Sequence, residues 1–153
     1  MKIMDMLRKD CITASLKGQT KRDVLLEMSR TVAVAEPVCD ADRIVEVLLE
    51  REKLGSTGIG DGIAIPHGKL VELENMVIGF GRSLNGIDFN AMDGRPVHLF
   101  FLLLAPESST GYHLKALARV SKMLKDETFR RRLLKASSED EIYRIIEEKD
   151  EVF

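Results

Sequence analysis

The residues best equipped for chemistry lie between Arg51 and Lys69, in the string R-E-K-L-G-S-T-G-I-G-D-G-I-A-I-P-H-G-K. Its glycines invite comparison with phosphate-binding loops. A dinucleotide fingerprint built on Gly58 and Gly60 needs a third glycine where the chain has Ile63. A Walker loop ending at Gly68-Lys69 needs glycine at 63 and serine or threonine at 70, where Ile63 and Leu70 stand. Neither pattern fits. What remains is His67, between Pro66 and Gly68. Pro66 fixes its own φ and disfavours helical backbone at Ile65. Gly68 has no side chain to crowd the ring. An imidazole is largely uncharged near neutral pH and is then a good nucleophile, so a ring aimed this way can take a phosphoryl group and pass it on. The competing reading is a turn histidine without a role.

Two further residues bear on that choice. Ile44, Val47 and Leu48 form an apolar stripe that position 51 continues, and position 51 is Arg51. A guanidinium there needs a partner, either a phosphoryl group, which its planar fork fits, or a local carboxylate. His113 falls in the first turn of a later helix, beside the stripe Leu117, Val120, Leu124. A helix N-terminus lowers an imidazole's pKa and favours nearby anions. His113 could donate to a phosphoryl oxygen on His67, or be a capping or core histidine. His98 alternates with Val97 and Leu99 in an apolar run and reads as structural. The three histidines are too scattered for helical metal spacing and neither Cys11 nor Cys39 completes a set, so no metal site is expected. Arg130-Arg131-Arg132 reads most simply as the solvated face and start of a helix, with a docking role as the second reading.

The elements that must position these groups can be read from periodicity. Residues 1–10 read as a helical lead-in and Cys11–Leu16 as a short β-prone stretch. Helices are predicted over Lys21–Val34, capped by Thr20 and ended by Pro37, and over Ala41–Lys53, capped by Asp40 and stopped by Gly55. Strands are predicted around Ile63–Ile65, over Met76–Arg82, as a short piece at Ile87–Phe89, and over Pro96–Ala105. The last is almost wholly apolar, as in a strand covered on both faces. Helices follow over Thr110–Lys125, Glu127–Lys135, and from a capping box at Ser138–Glu141. Interleaved strands and helices imply an α/β layered domain with a mixed sheet between helices.

Composition sets the outer limits. A chain of 153 residues suits one domain. Hydrophobic residues are 44% and charged residues 31%, with net charge −2. So nearly neutral a chain has no electrostatic case for gripping nucleic acid or an anionic membrane surface. No apolar run is long enough to span a bilayer. The charged start lacks a signal-peptide core, and two cysteines imply no disulfide framework, so a reducing cytoplasm is expected. There is no Trp and aromatics are 5%, too few for a base-stacking platform.

The string Leu54–Lys69, with Asp93-Gly94-Arg95-Pro96-Val97-His98-Leu99 and the helix bearing His113, resembles the fructose/mannitol class of enzyme IIA. These are phosphocarrier domains of the bacterial phosphoenolpyruvate:sugar phosphotransferase system, and the resemblance covers nearly the whole chain. It implies a single enzyme IIA type-2 domain over 1–153, with a mixed sheet flanked by helices on both faces. It implies that His67 is phosphorylated, on Nε2, by the carrier HPr or its nitrogen-branch paralogue. It further implies Arg51 as the phosphate-neutralising arginine, His113 as the second active-site histidine, and Asp61 at a position that is acidic or amide in relatives. Asp61 could bond a ring or fix Arg51, yet its charge would oppose a phosphoryl group. No cofactor is implied. The wording G-S-T-G-I-G-D-G-I-A-I-P-H-G-K-L and the lack of fused permease domains resemble the nitrogen-regulatory branch, whose downstream partner is a regulatory target protein. Two alternatives stand beside it: a sugar-transport IIA that passes the group to a IIB domain, and a protein-binding module in which transfer is vestigial.

Overall fold

A computed structural model describes residues 1–153. The sheet is built around the apolar run read above as a buried strand. Five strands and two α-helices precede it. The strands β1 (Leu7–Thr13), β2 (Gly58–Gly60), β3 (Ile63–Ala64), β4 (His67–Leu70) and β5 (Val77–Ile87) are joined by helices α1 (Lys21–Ala35) and α2 (Ala41–Glu52). The central strand β6 (Val97–Pro106) then leads to helices α3 (Thr110–Met123), α4 (Glu127–Lys135) and α5 (Glu139–Val152). The order across the sheet is β1-β5-β6-β3-β2, with β4 following β3 along β6. β6 runs antiparallel to β5 and parallel to β3 and β4, so the sheet is mixed.

Both faces of the sheet are covered, which is why β6 carries no polar alternation. Leu99, Phe101, Leu103 and Ala105 point into a core shared with α3, α4 and α5. Phe100, Leu102 and Leu104 point into a second core shared with α1 and α2. Each core holds a T-shaped ring pair, Phe80 on its cross-strand neighbour Phe101 at 5.0 Å and Phe89 on Phe100 at 5.4 Å. The predicted caps form: Thr20, Asp40 and Ser138 each accept from the backbone N–H three residues on. Glu141 completes its box one residue early, accepting from the Ser137 N–H and hydroxyl at 2.7 Å each.

The start of the chain departs from the sequence reading. Only Ile3–Asp5 form a single 3-10 turn, and β1 begins at Leu7. Arg8, Lys9 and Asp10 look unlike a strand because β1 lies at the sheet's edge, where charged side chains face solvent and discourage pairing with another chain. β5 likewise extends five residues beyond Arg82, to Ile87, across a register shift against β6.

Candidate functional site

Three segments meet at one end of α2. Arg51 occupies its last turn, His67 opens β4, and His113 lies in the first turn of α3. His67 therefore begins a strand of its own, past the one predicted around Ile63–Ile65. β3 and β4 are two stretches of one lane beside β6, interrupted at Ile65 and Pro66, and the Pro66 carbonyl still accepts from the Leu103 N–H at 3.0 Å. Gly68 lets α2 lie against this lane: a Cβ at Gly68 would sit 2.5 Å from Val47 Cγ1.

The partners of the His67 ring fix its tautomer. Nδ1 is 2.8 Å from the Ile65 carbonyl, which can only accept. Nε2 is 3.3 Å from Arg51 Nε, which can only donate. The neutral ring thus carries its proton on Nδ1 and its lone pair on Nε2. Burial lowers the His67 pKa; the Ile65 carbonyl opposes this, Arg51 adds to it, and Glu52 opposes it. Arg51 is held in turn by donation from Nη1 to the Gly55 carbonyl at 2.9 Å.

His113 is 4% exposed. Its ring meets that of His67 edge-on, with centroids 5.3 Å apart and planes at 63°. Its Nδ1 is buried without a hydrogen-bond partner. Burial, then the neighbouring charges of His67 and Lys69, lower its pKa to about 4. Both rings are therefore neutral at pH 7.

The rings face an open cavity of about 520 Å³. Its polar lining includes Arg51, His67, Lys69 and His113, and its apolar lining Val47, Leu54, Leu114 and Leu117. Leu54 and Leu114 are 84% and 60% exposed, an apolar rim around a polar floor. Lys69 donates to the Thr110 hydroxyl at 2.7 Å across the cavity. Sequence reasoning missed Lys69, although it stands two residues from His67 and so shares its face of β4.

The other sequence candidates lie apart from this cavity. Asp61 sits in the exposed turn between β2 and β3, with φ +57°, and its N–H donates to Asp93 Oδ2 at 3.1 Å. Aspartate tolerates that left-handed backbone better than most residues. The structure brings Arg51, His67 and His113 together and leaves Asp61 outside the cavity lining. His98 bonds through Nδ1 to the Ser83 carbonyl at 2.9 Å and packs on Gly86. Arg130 donates to the Leu124 and Lys125 carbonyls just past α3, while Arg131 and Arg132 pair with Glu127 and Glu148. No group of three His, Cys, Asp or Glu side chains is placed to hold a metal ion. No helix is long and apolar enough to cross a membrane.

An α/β layered fold with a tautomer-fixed histidine, an arginine and a second histidine at the mouth of an apolar-rimmed cavity now meets its relatives. The chain belongs to the family of the phosphoenolpyruvate-dependent sugar phosphotransferase system, EIIA 2, whose family model matches residues 5–149. It is 44% identical over 147 residues to a nitrogen regulatory protein of Bradyrhizobium diazoefficiens, covering 95% of each chain. It is 42% identical over 150 residues to the fructose-specific EIIABC component of Bacillus subtilis, covering 98% of this chain and only 24% of that one. The chain thus spans about a quarter of that relative's length. The crystal structure of the nitrogen regulatory protein IIA-Ntr from Neisseria meningitidis superposes with a TM-score of 0.87 at 32% identity, covering 94% of this chain and 98% of that one.

Proposed function

We propose that this chain is a histidine phosphocarrier of the cytoplasm that accepts a phosphoryl group on Nε2 of His67, with Arg51 and His113 as its active-site partners. The observation that carries the reading is the bonding of the His67 ring at the cavity: Nδ1–H is committed to Ile65, and the lone pair on Nε2 is engaged only by a long 3.3 Å bond from the Arg51 guanidinium. The donor is another protein, an HPr-like phosphocarrier, because the apolar rim of Leu54 and Leu114 suits a protein face.

In the transfer, Nε2 attacks phosphorus in line as the donor's own N–P bond breaks, and the electron pair of that bond returns to the donor ring. Positive charge that grows on the His67 ring is shared with Nδ1–H and met by the Ile65 carbonyl. Arg51 exchanges a long bond to a neutral imidazole nitrogen for bonds to anionic phosphoryl oxygens, in which both partners are charged and which are stronger. The incoming negative charge raises the pKa of His113 and lets it donate. One phosphoramidate forms as another breaks, so the exchange is close to balanced. Asp61 serves the turn before β3 and takes no part in this step.

We assign the downstream role to regulation. Supporting this, the nitrogen regulatory relative is matched along 95% of both chains. The second reading, a sugar-transport IIA that feeds a IIB domain, rests on the 42% identity to the fructose-specific component. The test is intact mass after incubation with phosphoenolpyruvate, enzyme I and either HPr or its nitrogen-branch paralogue. One acid-labile phosphoryl adduct, absent in His67→Ala, is expected, with the nitrogen-branch donor preferred. Preference for HPr would favour the sugar reading. No adduct with either donor would leave a docking surface in which transfer is vestigial.

A further inference from the structure

Glu52, the residue after Arg51, is a buried carboxylate with three donors. Its Oε1 accepts from the Thr57 N–H at 3.1 Å and from Lys21 Nζ at 2.8 Å. Its Oε2 accepts from the Thr57 hydroxyl. Lys21 also reaches the Phe89 carbonyl at 3.3 Å and lies 4.5 Å from the Phe89 ring centre, so the countercharge is itself fixed. Burying this pair is costly unless each group is held in good geometry, as here.

The chain of bonds leading away from Thr57 ends on His67 twice. The Thr57 carbonyl accepts from the Ile65 N–H at 3.1 Å, and the Ile65 carbonyl accepts from His67 Nδ1 at 2.8 Å. The turn from Glu52 to Thr57 also sets the Gly55 carbonyl, which holds Arg51 Nη1, and Arg51 Nε donates to His67 Nε2. Both ring nitrogens are thus tied, by separate routes, to the turn that the Glu52 carboxylate closes. We infer that the Glu52–Thr57 clasp, with Lys21 as its counterion, is a positioning device that holds His67 in its Nδ1–H tautomer and Arg51 against Nε2. As a statement about phosphoryl transfer it rests on His67 being the acceptor.

The test uses the full chain and avoids Glu52→Ala, which strands Lys21 and could simply unfold the protein. Thr57→Val keeps the shape and the N–H but removes the hydroxyl donor; Thr57→Ser keeps the hydroxyl. Two readouts are taken: the rate of phosphoryl acceptance, and the imidazole ¹⁵N resonances of His67, which report its tautomer without any donor present. Thr57→Val is expected to slow acceptance by about 10- to 100-fold, as small misplacements of a reacting group do. It should also move the His67 resonances toward a mixture of tautomers, and Thr57→Ser should restore both. Wild-type rate and resonances in Thr57→Val would overturn the inference. So would slowing with unmoved resonances, or slowing that Thr57→Ser shares. If the wild-type chain accepts nothing from any donor, the carrier reading fails, and the resonances still decide whether the clasp sets the ring.

Discussion

Replacing His113 by phenylalanine should make the protein less sensitive to acid. In the folded chain the His113 pKa falls from 6.5 to about 4, through burial first and then the charges of His67 and Lys69. The unfolded chain keeps the ordinary value, so as pH drops below 6.5 the unfolded state takes the proton first. Stability is therefore present above pH 6.5 and is lost as pH falls toward 4. From pH 8 to pH 5 the two values imply a loss of about 2 kcal/mol from this ring alone. Phenylalanine fills the same buried space without titrating, and it removes the unpartnered Nδ1, a gain of about 1 kcal/mol at pH 8. Urea unfolding of both proteins at the two pH values measures the difference. With a slope of about 2 kcal/mol per molar, the wild-type midpoint should fall about 1 M further than that of His113→Phe. His67 is present in both proteins, so the difference between them reads His113 together with its coupling to His67. Equal losses would refute the reasoning, because they would mean that His113 binds its proton alike folded and unfolded.

Two substitutions probe the supports of the site. Arg82 is buried and donates to the carbonyls of Ala14, Leu133, Leu134 and Ala136, closing the end of α4, so Arg82→Leu should cost about 3 kcal/mol by urea unfolding and leave phosphoryl acceptance at permissive temperature unchanged. Gly68→Ala drives a Cβ into Val47 on α2 and should cost about 1–3 kcal/mol and slow acceptance by separating Arg51 from His67, while adding Val47→Ala should recover part of both, as a double-mutant cycle reads directly.

Most of the layered fold was legible because its signals are local. The caps at Thr20, Asp40 and Ser138, the helix stripes, and the unbroken apolar run of β6 each act within one element. β4 was not legible, since His67–Leu70 has no alternation of its own and is a strand only because β6 offers a parallel edge. The charges of β1 concealed an edge strand. Within the site, Arg51 was found by extending Ile44, Val47 and Leu48. The neighbouring row Ile44, Leu48, Glu52 carried an equally good signal, and all three of its residues are buried. A carboxylate at the end of that row demands buried donors, yet its partner Thr57 lies past the helix, where no periodicity points to it. Asp61 illustrates the opposite case. Its place in the motif suggested proximity to His67, whereas the β2–β3 turn takes it outside the cavity lining.

On the proposed reading, the site separates recognition from chemistry by depth. Leu54 and Leu114 are exposed and make no bond to the His67 ring, so changes there should alter how a partner docks. Below them, the atoms that hold the ring belong to a connected set of bonds among Arg51, Glu52, Gly55, Thr57 and Ile65. The long 3.3 Å bond from Arg51 to Nε2 is the weak member of that set. It occupies the lone pair without holding it firmly, and its donor is a group that a phosphoryl oxygen attracts strongly. On the proposed reading, arrival of the phosphoryl group breaks only this bond and leaves the Ile65 contact in place. The same backbone that aims the nucleophile before transfer then steadies the phosphorylated ring afterwards, which is what a carrier that must both accept and release requires.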